Sequence, residues 1–366
     1  MSNYNHSLVK KKIIRDPVHR YISIDEKFFR DIIDTPQFQR LRRIQQTNLD
    51  VLFPAATHTR FEHSIGVYYL GSKLFDSIVE KCPPDIKNEV EDYRNTVLLA
   101  CLLHDIGHAP MSHIGESFFD GEEIKQELRK NGIKIETTTP LHEMMSVLIG
   151  ITVFKDVLKE YKCDTDLFFR LITGRTLAME GCSSSKNTPV KEALRAILNS
   201  PFDVDKMDFV FRDASSAGVP SLELDLERII NSACLVYDKD DGNKLRLAFG
   251  KSGFSVVSTL VDNRNYMFSW IYGHHKVQFH NYVITRYITK LKESYPEFRK
   301  FFSYQAVIGD CDIGLPILKK VSYVDDHDLF SILKNIALIN PELKIFSDSL
   351  FKRVSCSTFS EQLFRV

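Results

Sequence analysis

Twelve histidines occur in the 366 residues, and six of them (His58, His63, His104, His108, His113 and His142) fall between positions 58 and 142. Even spreading would place about three there. Imidazole nitrogen with carboxylate oxygen suits Fe, Mn, Ni or Zn, and two or three imidazoles with one or two carboxylates leave positions open for water. The adjacent pair His104-Asp105 is the sharpest part of the cluster. It ends NTVLLACLLHD (95–105), a nearly unbroken apolar run, so the carboxylate enters an apolar interior, where it is costly unless compensated. A metal ion would compensate it, and so would a buried arginine. Taken alone, an His-Asp dipeptide is more often a cap or a local hydrogen bond than a ligand pair. Its meaning therefore depends on partners, and His63 in RFEHSIGVYYLG and Asp205 in FDVDKMDFVFRD are the residues that helices could bring to it.

The elements that must position these side chains read as mainly helical. Thr35-Pro36 starts a helix, Thr as cap and Pro at the first helical position, with Phe38, Leu41 and Ile44 following at three-residue steps. Residues 61–82 carry a continuous apolar face, including Ile65, Tyr69, Leu74 and Ile78, and residues 95–105 form a helix buried on every side. Gly107 and Pro110 in HDIGHAPMSH then stop regular helix and leave polar side chains at the mouth of an apolar interior. Further helices are expected from about His142 to Leu158, Val190 to Leu198, Asp205 to Arg212, and as one piece from about Val261 to Glu293. KIIRDPVHRYISI (12–24) reads as two short strands around Asp16-Pro17, and ACLVYDKDDGNKLRLAF (233–249) as a hairpin. The charged stretch 120–138 reads as a surface helix and loop, and EGCSSSKNTP (180–189) as a loop. From Tyr295 short strands and helices mix, with VDDHDLFSILKNI (324–336) starting a helix at its acidic end. The expected division is a catalytic core over 1–294 and an α+β appendage over 295–366, and no internal repeat occurs.

Composition sets outer bounds. The 48 Lys+Arg and 48 Asp+Glu cancel, and 43% hydrophobic with 26% charged residues is ordinary globular composition, which excludes a disordered or fibrous chain. No apolar run approaches the roughly 20 residues that span a bilayer. The start Met1–Lys12 is polar and basic, without a signal peptide's apolar segment, so a cytoplasmic location away from membranes is expected. Seven cysteines, odd in number and without a C-x-x-C pair, point neither to a disulfide framework nor to a thiolate zinc site. Balanced charge argues against bulk nucleic-acid binding while leaving room for one basic groove.

Four segments, RFEHSIGVYYLG, LLHDIGHAPMSH, LHEMMS and FDVDKMDFVFRD, resemble in that order the H…HD…D signature of the HD-domain metal-dependent phosphohydrolases. Three more, RDPVHRYISI, IIDTPQFQRLRRIQQ and RNYMFSWIYGHHKV, are similar to the deoxynucleoside triphosphate triphosphohydrolase branch, including the catalytic core of the animal sterile-alpha-motif-and-HD enzymes. The similarity runs from about residue 12 to 290. It implies a mainly α HD-domain helical fold with small β elements and a mixed α/β C-terminal appendage. It also implies that His63, His104, Asp105 and Asp205 hold a divalent transition metal (Fe, Mn, Ni or Zn), with Mg accompanying a substrate triphosphate. His142 would be the catalytic histidine and His108 would stand beside the scissile phosphate. Glu116 takes the place behind the catalytic histidine where the better-known pattern has Asp. One extra methylene shifts that carboxylate by roughly a bond length, enough to alter a proton relay without abolishing it.

Carried over in the same way, Arg60 and Lys206 match phosphate contacts, Arg264 and Tyr272 meet the triphosphate, and Gln46 and Asp213 read the sugar 3′-hydroxyl. Phe209 stands where the family has Tyr; it keeps an apolar face for the sugar and loses a hydroxyl hydrogen bond. Thr47 stands where the branch often has an apolar residue under the base. Activated members assemble as tetramers through nucleotides, and Asp34, Gln39 and Arg42 match a guanine-reading allosteric set, while Arg15 breaks it where an amide side chain belongs. A homodimer or tetramer follows by analogy.

The reaction implied is hydrolysis of deoxynucleoside triphosphates to deoxynucleoside and inorganic triphosphate, with His142 protonating the leaving oxygen and Glu116 or Glu143 holding its tautomer. The alternative is an HD-type phosphodiesterase or nuclease acting on single-stranded nucleic acid or a cyclic nucleotide. A nucleotide-sensing module with little turnover is a third reading, opposed by the complete ligand set. Outside the set, His58 and His113 read as local hydrogen-bond partners, and His274, His275 and His280 as a polar helix face toward solvent. Of Phe268, Trp270 and Tyr272, two are expected to pack and only Tyr272 to enter the site.

Overall fold

A computed structural model of the chain describes residues 10–134, 138–175, 178–179, 188–219 and 225–352. Most of the expected 180–189 loop, residues 180–187, lies outside them, as do residues 353–366. The described chain is mainly α-helical, with four two-stranded antiparallel sheets and no larger sheet among the described residues. No helix among them is long and apolar enough to cross a membrane. The five described cysteines are all free.

Strands β1 (Lys11–Asp16) and β2 (Arg20–Asp25) form the expected hairpin, paired from Lys11↔Asp25 to Asp16↔Arg20. Its turn is set by Asp16, whose Oδ1 accepts from the amides of Val18 and His19 at 2.9 and 2.7 Å. Thr35 caps the helix Pro36–Gln39, with Pro in its first turn as the sequence indicates. Helix α1 (Arg60–Lys81) begins with a capping box in which Glu62 accepts from the Thr59 amide at 2.8 Å. Helix α2 (Arg94–Leu103) is buried from Thr96 to Leu103 and packs against α1 and the helix Thr165–Thr173. An apolar run without a polar face requires that position.

Helix α3 (Leu141–Thr152) stops short of the expected Leu158, because the chain turns at Val153–Phe154 and restarts as Lys155–Glu160. Helix α4 (Val204–Ser216) is capped by Asp203, whose Oδ1 accepts from the Lys206 amide at 2.9 Å, and packs across α1. The hairpin Ala233–Asp238 with Lys244–Phe249 lies where the sequence indicates.

The single helix expected over 261–293 is instead three pieces. Helix α5 (Lys251–Tyr266) widens into a π turn at Met267–Tyr272, the chain breaks at Gly273–His274, and α6 (His275–Ser294) begins anew. The break is local chemistry: the Gly273 amide returns to the Phe268 carbonyl at 3.0 Å, and the His274 ring caps α6 by accepting from the Lys276 amide. Beyond Tyr295 come the strands Asp310–Asp312 and Lys320–Ser322, then helices α7 (Asp326–Ile336) and α8 (Lys344–Lys352); α8 packs back on α6. Asp325 and Asp328 form a capping box at the start of α7, the acidic helix start expected there. One buried apolar cluster runs from Ile22 to Leu343 and encloses the histidine-rich loop between α2 and α3.

Candidate metal centre and catalytic cleft

His63 on α1, His104 and Asp105 just past α2, and Asp205 in the first turn of α4 close on one point. His63 Nε2 lies 3.0 Å from Asp205 Oδ1, 3.3 Å from His104 Nε2 and 3.5 Å from Asp105 Oδ2. His104 Nε2 is 3.5 Å from Asp105 Oδ1 and 3.8 Å from Asp205 Oδ1. The other nitrogen of each ring is already committed. His104 Nδ1 donates to the Cys101 carbonyl at 2.9 Å, and His63 Nδ1 donates to Asp208 Oδ2 at 2.8 Å. Both Nε2 atoms are thereby aimed at one spot, where His63, His104 and Asp205 form a donor set that fits a divalent cation, with Asp105 3.5 Å from each ring. The electrostatics agree. Burial disfavours charge on His63, yet Asp205 and Asp208 outweigh it and push its pKa up to about 10. Desolvation likewise opposes charge on Asp105, but Arg60, His104 and His108 hold it well below the usual carboxylate range. Arg60 donates to Asp105 Oδ2, so the arginine and the cation site compensate the same carboxylate.

Behind His63 stands a charged network that the sequence did not single out. Asp208, wholly buried, accepts from His63, from His19 Nε2 at 2.6 Å, and from Arg212 Nε and Nη2 at 2.8 and 3.0 Å. Arg212 continues to Asp16 at 2.8 Å, which ties the β1–β2 turn to the metal side of α1. Gly66 makes room for this: a Cβ there would lie 2.0 Å from Asp208 Oδ1. A usable signal existed in FDVDKMDFVFRD, where Asp208 follows Asp205 by three residues and precedes Arg212 by four, placing charge on a helix face that must pack.

The remaining loop histidines gather beside the centre. His108 and His142 stack at 4.2 Å and 15°, and His113 meets them edge-on at 5.0 and 5.6 Å. His142 Nδ1 lies 2.9 Å from Glu116 Oε1, and His113 Nδ1 lies 3.3 Å from Glu116 Oε2. Burial disfavours a charged His142, but Glu116 outweighs it and the net shift is upward. Glu116 is therefore the carboxylate at His142 Nδ1, while Glu143 has a buried, unpartnered Oε2 and is pushed by burial up to about 7. His108 is buried, with Nε2 3.3 Å from Asp105 Oδ1; burial and the nearby Arg60 hold it well below the ordinary histidine value. Gly107 permits the close approach of this loop to α3, since a Cβ would sit 2.3 Å from the Ser146 amide nitrogen.

These groups open onto a cavity of about 350 Å³, within the range of small-molecule sites. Gln46, Arg60, Phe209, Asp213 and Tyr272 reach its wall, together with His108, His113 and His142. Asp213 is held by the Tyr272 hydroxyl and by His58 Nε2 at 2.7 Å. Lys206 and Arg264 are set back from it. Lys206 pairs with Asp203 at 2.6 Å, and the Arg264 guanidinium lies 5.4 Å over the Phe268 ring. Phe268 and Trp270 are half or more exposed yet keep ring contacts, Phe268 with Tyr272 at 5.2 Å and Trp270 with Tyr266 at 6.5 Å, and Phe268 also lines the cavity. His113, read as a local partner, both contacts Glu116 and lines the cavity. Asp34, Gln39 and Arg42 sit together near β1: Asp34 lies 3.6 Å from Lys12, and Arg42 donates to Gln39 at 2.9 Å.

Comparison with known proteins places this geometry. The chain is 28% identical over 300 residues to the uncharacterized protein YwfO of Bacillus subtilis, covering 81% of this chain and 60% of that one. It is 30% identical over 280 residues to the uncharacterized protein MJ1154 of Methanocaldococcus jannaschii, covering 76% and 49%. With the human deoxynucleoside triphosphate triphosphohydrolase SAMHD1 it shares 31% identity over 282 residues, 72% of this chain and 42% of that enzyme. The chain thus spans less than two thirds of the length of each relative. Residues 60–238 match the HD domain family model. That span is the helical body carrying His63, His104-Asp105 and Asp205, and this part of the chain is an HD domain.

Proposed function

We propose that this chain is a metal-dependent phosphohydrolase that cleaves deoxynucleoside triphosphates to deoxynucleoside and inorganic triphosphate. The observation that carries the reading is that Asp105 and Asp205 of the His/Asp cluster open onto the same cavity as Arg60, the imidazoles of His108, His113 and His142, and the side chains of Gln46, Phe209, Asp213 and Tyr272. The SAMHD1 relatives, named as deoxynucleoside triphosphate triphosphohydrolases, support the substrate class.

In this reading His63, His104, Asp105 and Asp205 hold a transition metal, Fe, Mn, Ni or Zn. When bound, the ion supplies neutralising charge for phosphoryl oxygens and makes water more acidic. Arg60, tied to Asp105 and to Ser112 Oγ at 3.0 Å, presents positive charge that needs no reorganisation as the triphosphate develops negative charge. Water oxygen bonds to the α-phosphorus, the bond from phosphorus to O5′ breaks, and O5′ takes a proton from His142 Nε2. Glu116, 2.9 Å from Nδ1, favours the doubly protonated ring, so that Nε2 carries the proton to be given. Phe209 gives the sugar an apolar face, while Gln46 and the Asp213 carboxylate, anchored by His58 and Tyr272, read its hydroxyl. Asp34, Gln39 and Arg42 would take an activating nucleotide in a homodimer or tetramer.

The test is incubation of metal-loaded protein with the four deoxynucleoside triphosphates, together and then singly, with products resolved by chromatography beside Asp205→Ala. Deoxynucleoside with intact triphosphate, absent in the variant, is the expected result. Cleavage of an oligonucleotide or cyclic nucleotide instead would move the reading to a phosphodiesterase on the same centre.

A further inference from the structure

The two loops that wall the cavity are joined by one carboxylate from far along the chain. One wall is the segment around Gln46, and the other is the loop carrying His108 and His113. The Gln45 amide donates to Asp326 Oδ2 at 2.8 Å and the Met111 amide to Asp326 Oδ1 at 2.6 Å. Asp326 is the first residue of α7 and is 3% exposed. Its neighbours repeat the grip. Asp325 pairs with Arg43, and the wholly buried Arg40 donates to the His108 carbonyl. Ser112 Oγ adds a direct link to the Gln45 carbonyl.

The loop being held is one that needs holding. Met111 and Ser112 have φ of 63° and 52°, a backbone region that side chains with a Cβ rarely adopt, and these two residues turn the chain between His108 and His113. The Met111 amide at that turn has its acceptor, among the described residues, in Asp326. The opposite wall is held by the other oxygen of the same carboxyl group, so one side chain grips the backbone of both walls, beside the direct Ser112–Gln45 link.

We infer that Asp326 is a positioning residue: its two carboxylate oxygens clamp the Gln45 and Met111 amides and so hold the histidine loop and the Gln46 wall at working separation. Helix α7 thereby becomes part of the site. This rests on the proposed hydrolysis for its kinetic readout, because misplacing reacting groups by about an ångström costs on the order of a hundredfold in rate.

The experiment uses the full chain, metal-loaded, as wild type, Asp326→Ala and Asp326→Asn. Hydrogen exchange at the Gln45 and Met111 amides is measured first and needs no substrate. Turnover of a deoxynucleoside triphosphate is then measured per folded, metal-loaded molecule, well below the unfolding temperature. Asp326→Ala is expected to lose protection at both amides and about 10- to 100-fold in kcat with metal content unchanged. Asp326→Asn keeps one acceptor oxygen, so it should restore protection at one amide and part of kcat; it carries the test alone if the alanine variant does not fold. A residue of merely structural importance would lower the unfolding temperature and leave kcat and KM of the folded molecules at wild-type values, which overturns the inference. Protection retained at both amides overturns it as well. If the wild type hydrolyses no deoxynucleoside triphosphate, the functional reading falls, and exchange alone decides: joint loss at Gln45 and Met111 supports the clamp.

Discussion

Replacing Asp208 with asparagine separates the support of the metal centre from the stability of the fold. All the groups that meet this carboxylate are donors: His63 Nδ1, His19 Nε2, and Arg212 Nε and Nη2. Asparagine keeps one acceptor oxygen and turns the other into a donor facing donors, and Arg212 is left with Asp16 as its remaining counter-charge. Breaking one partner of a buried ion pair costs about 3–5 kcal/mol, and the surviving Asp16 contact places this case near the lower end. The second effect is local to His63. Loss of the carboxylate lowers imidazole basicity and frees the ring, and such partners are worth about 10- to 100-fold in metal affinity, or roughly 1.4–2.7 kcal/mol. Urea unfolding of metal-free protein reads the first effect, and competition with a chromophoric chelator on folded protein reads the second. Asp16→Asn is the control, since it touches Arg212 and the β1–β2 turn but not His63; it should cost stability and leave metal affinity within a few-fold. Wild-type metal affinity in a folded Asp208→Asn protein, or an equal loss in Asp16→Asn, would refute the assignment.

Three further outcomes follow from the same geometry. Asp205→Ala should lose bound metal and turnover together, checked by elemental analysis beside product chromatography; full turnover at native metal content would remove Asp205 from the ligand set. Apparent metal affinity should climb with pH, because His63, pushed up to about 10 by Asp205 and Asp208 against the cost of burial, must release its proton to bind. Titrations at several pH values should show about tenfold tighter binding per unit for each proton displaced. Glu116→Gln should move the alkaline limb of the rate profile to lower pH. Desolvation alone would depress His142 and Glu116 raises it, so removing that charge lowers its pKa, and the protonated form is lost earlier as pH rises. An unmoved limb would mean that His142 does not supply the proton.

The parts of the site legible in the sequence were those written in local pattern. An apolar run ending in His104-Asp105 announces a carboxylate delivered into an interior, and that is where the structure puts it. The hairpin of residues 233–249 and the acidic start of α7 were equally plain, because turn and capping chemistry act over a few residues. The break at Gly273–His274 was missed because the apolar periodicity resumes on the far side of it. Least legible were the long-range charged contacts. His19 lies 189 residues from Asp208, and Asp326 lies 281 residues from Gln45, and no local pattern encodes such pairs.

The most direct measurement of what the His/Asp cleft does is hydrolysis of a single deoxynucleoside triphosphate by metal-loaded protein in ¹⁸O-labelled water, with each product weighed by mass spectrometry. Attack at the α-phosphorus puts one label in the released triphosphate and none in the deoxynucleoside. Label in the nucleoside, release of pyrophosphate with a nucleoside monophosphate, or no turnover at full metal occupancy would contradict the proposed reaction.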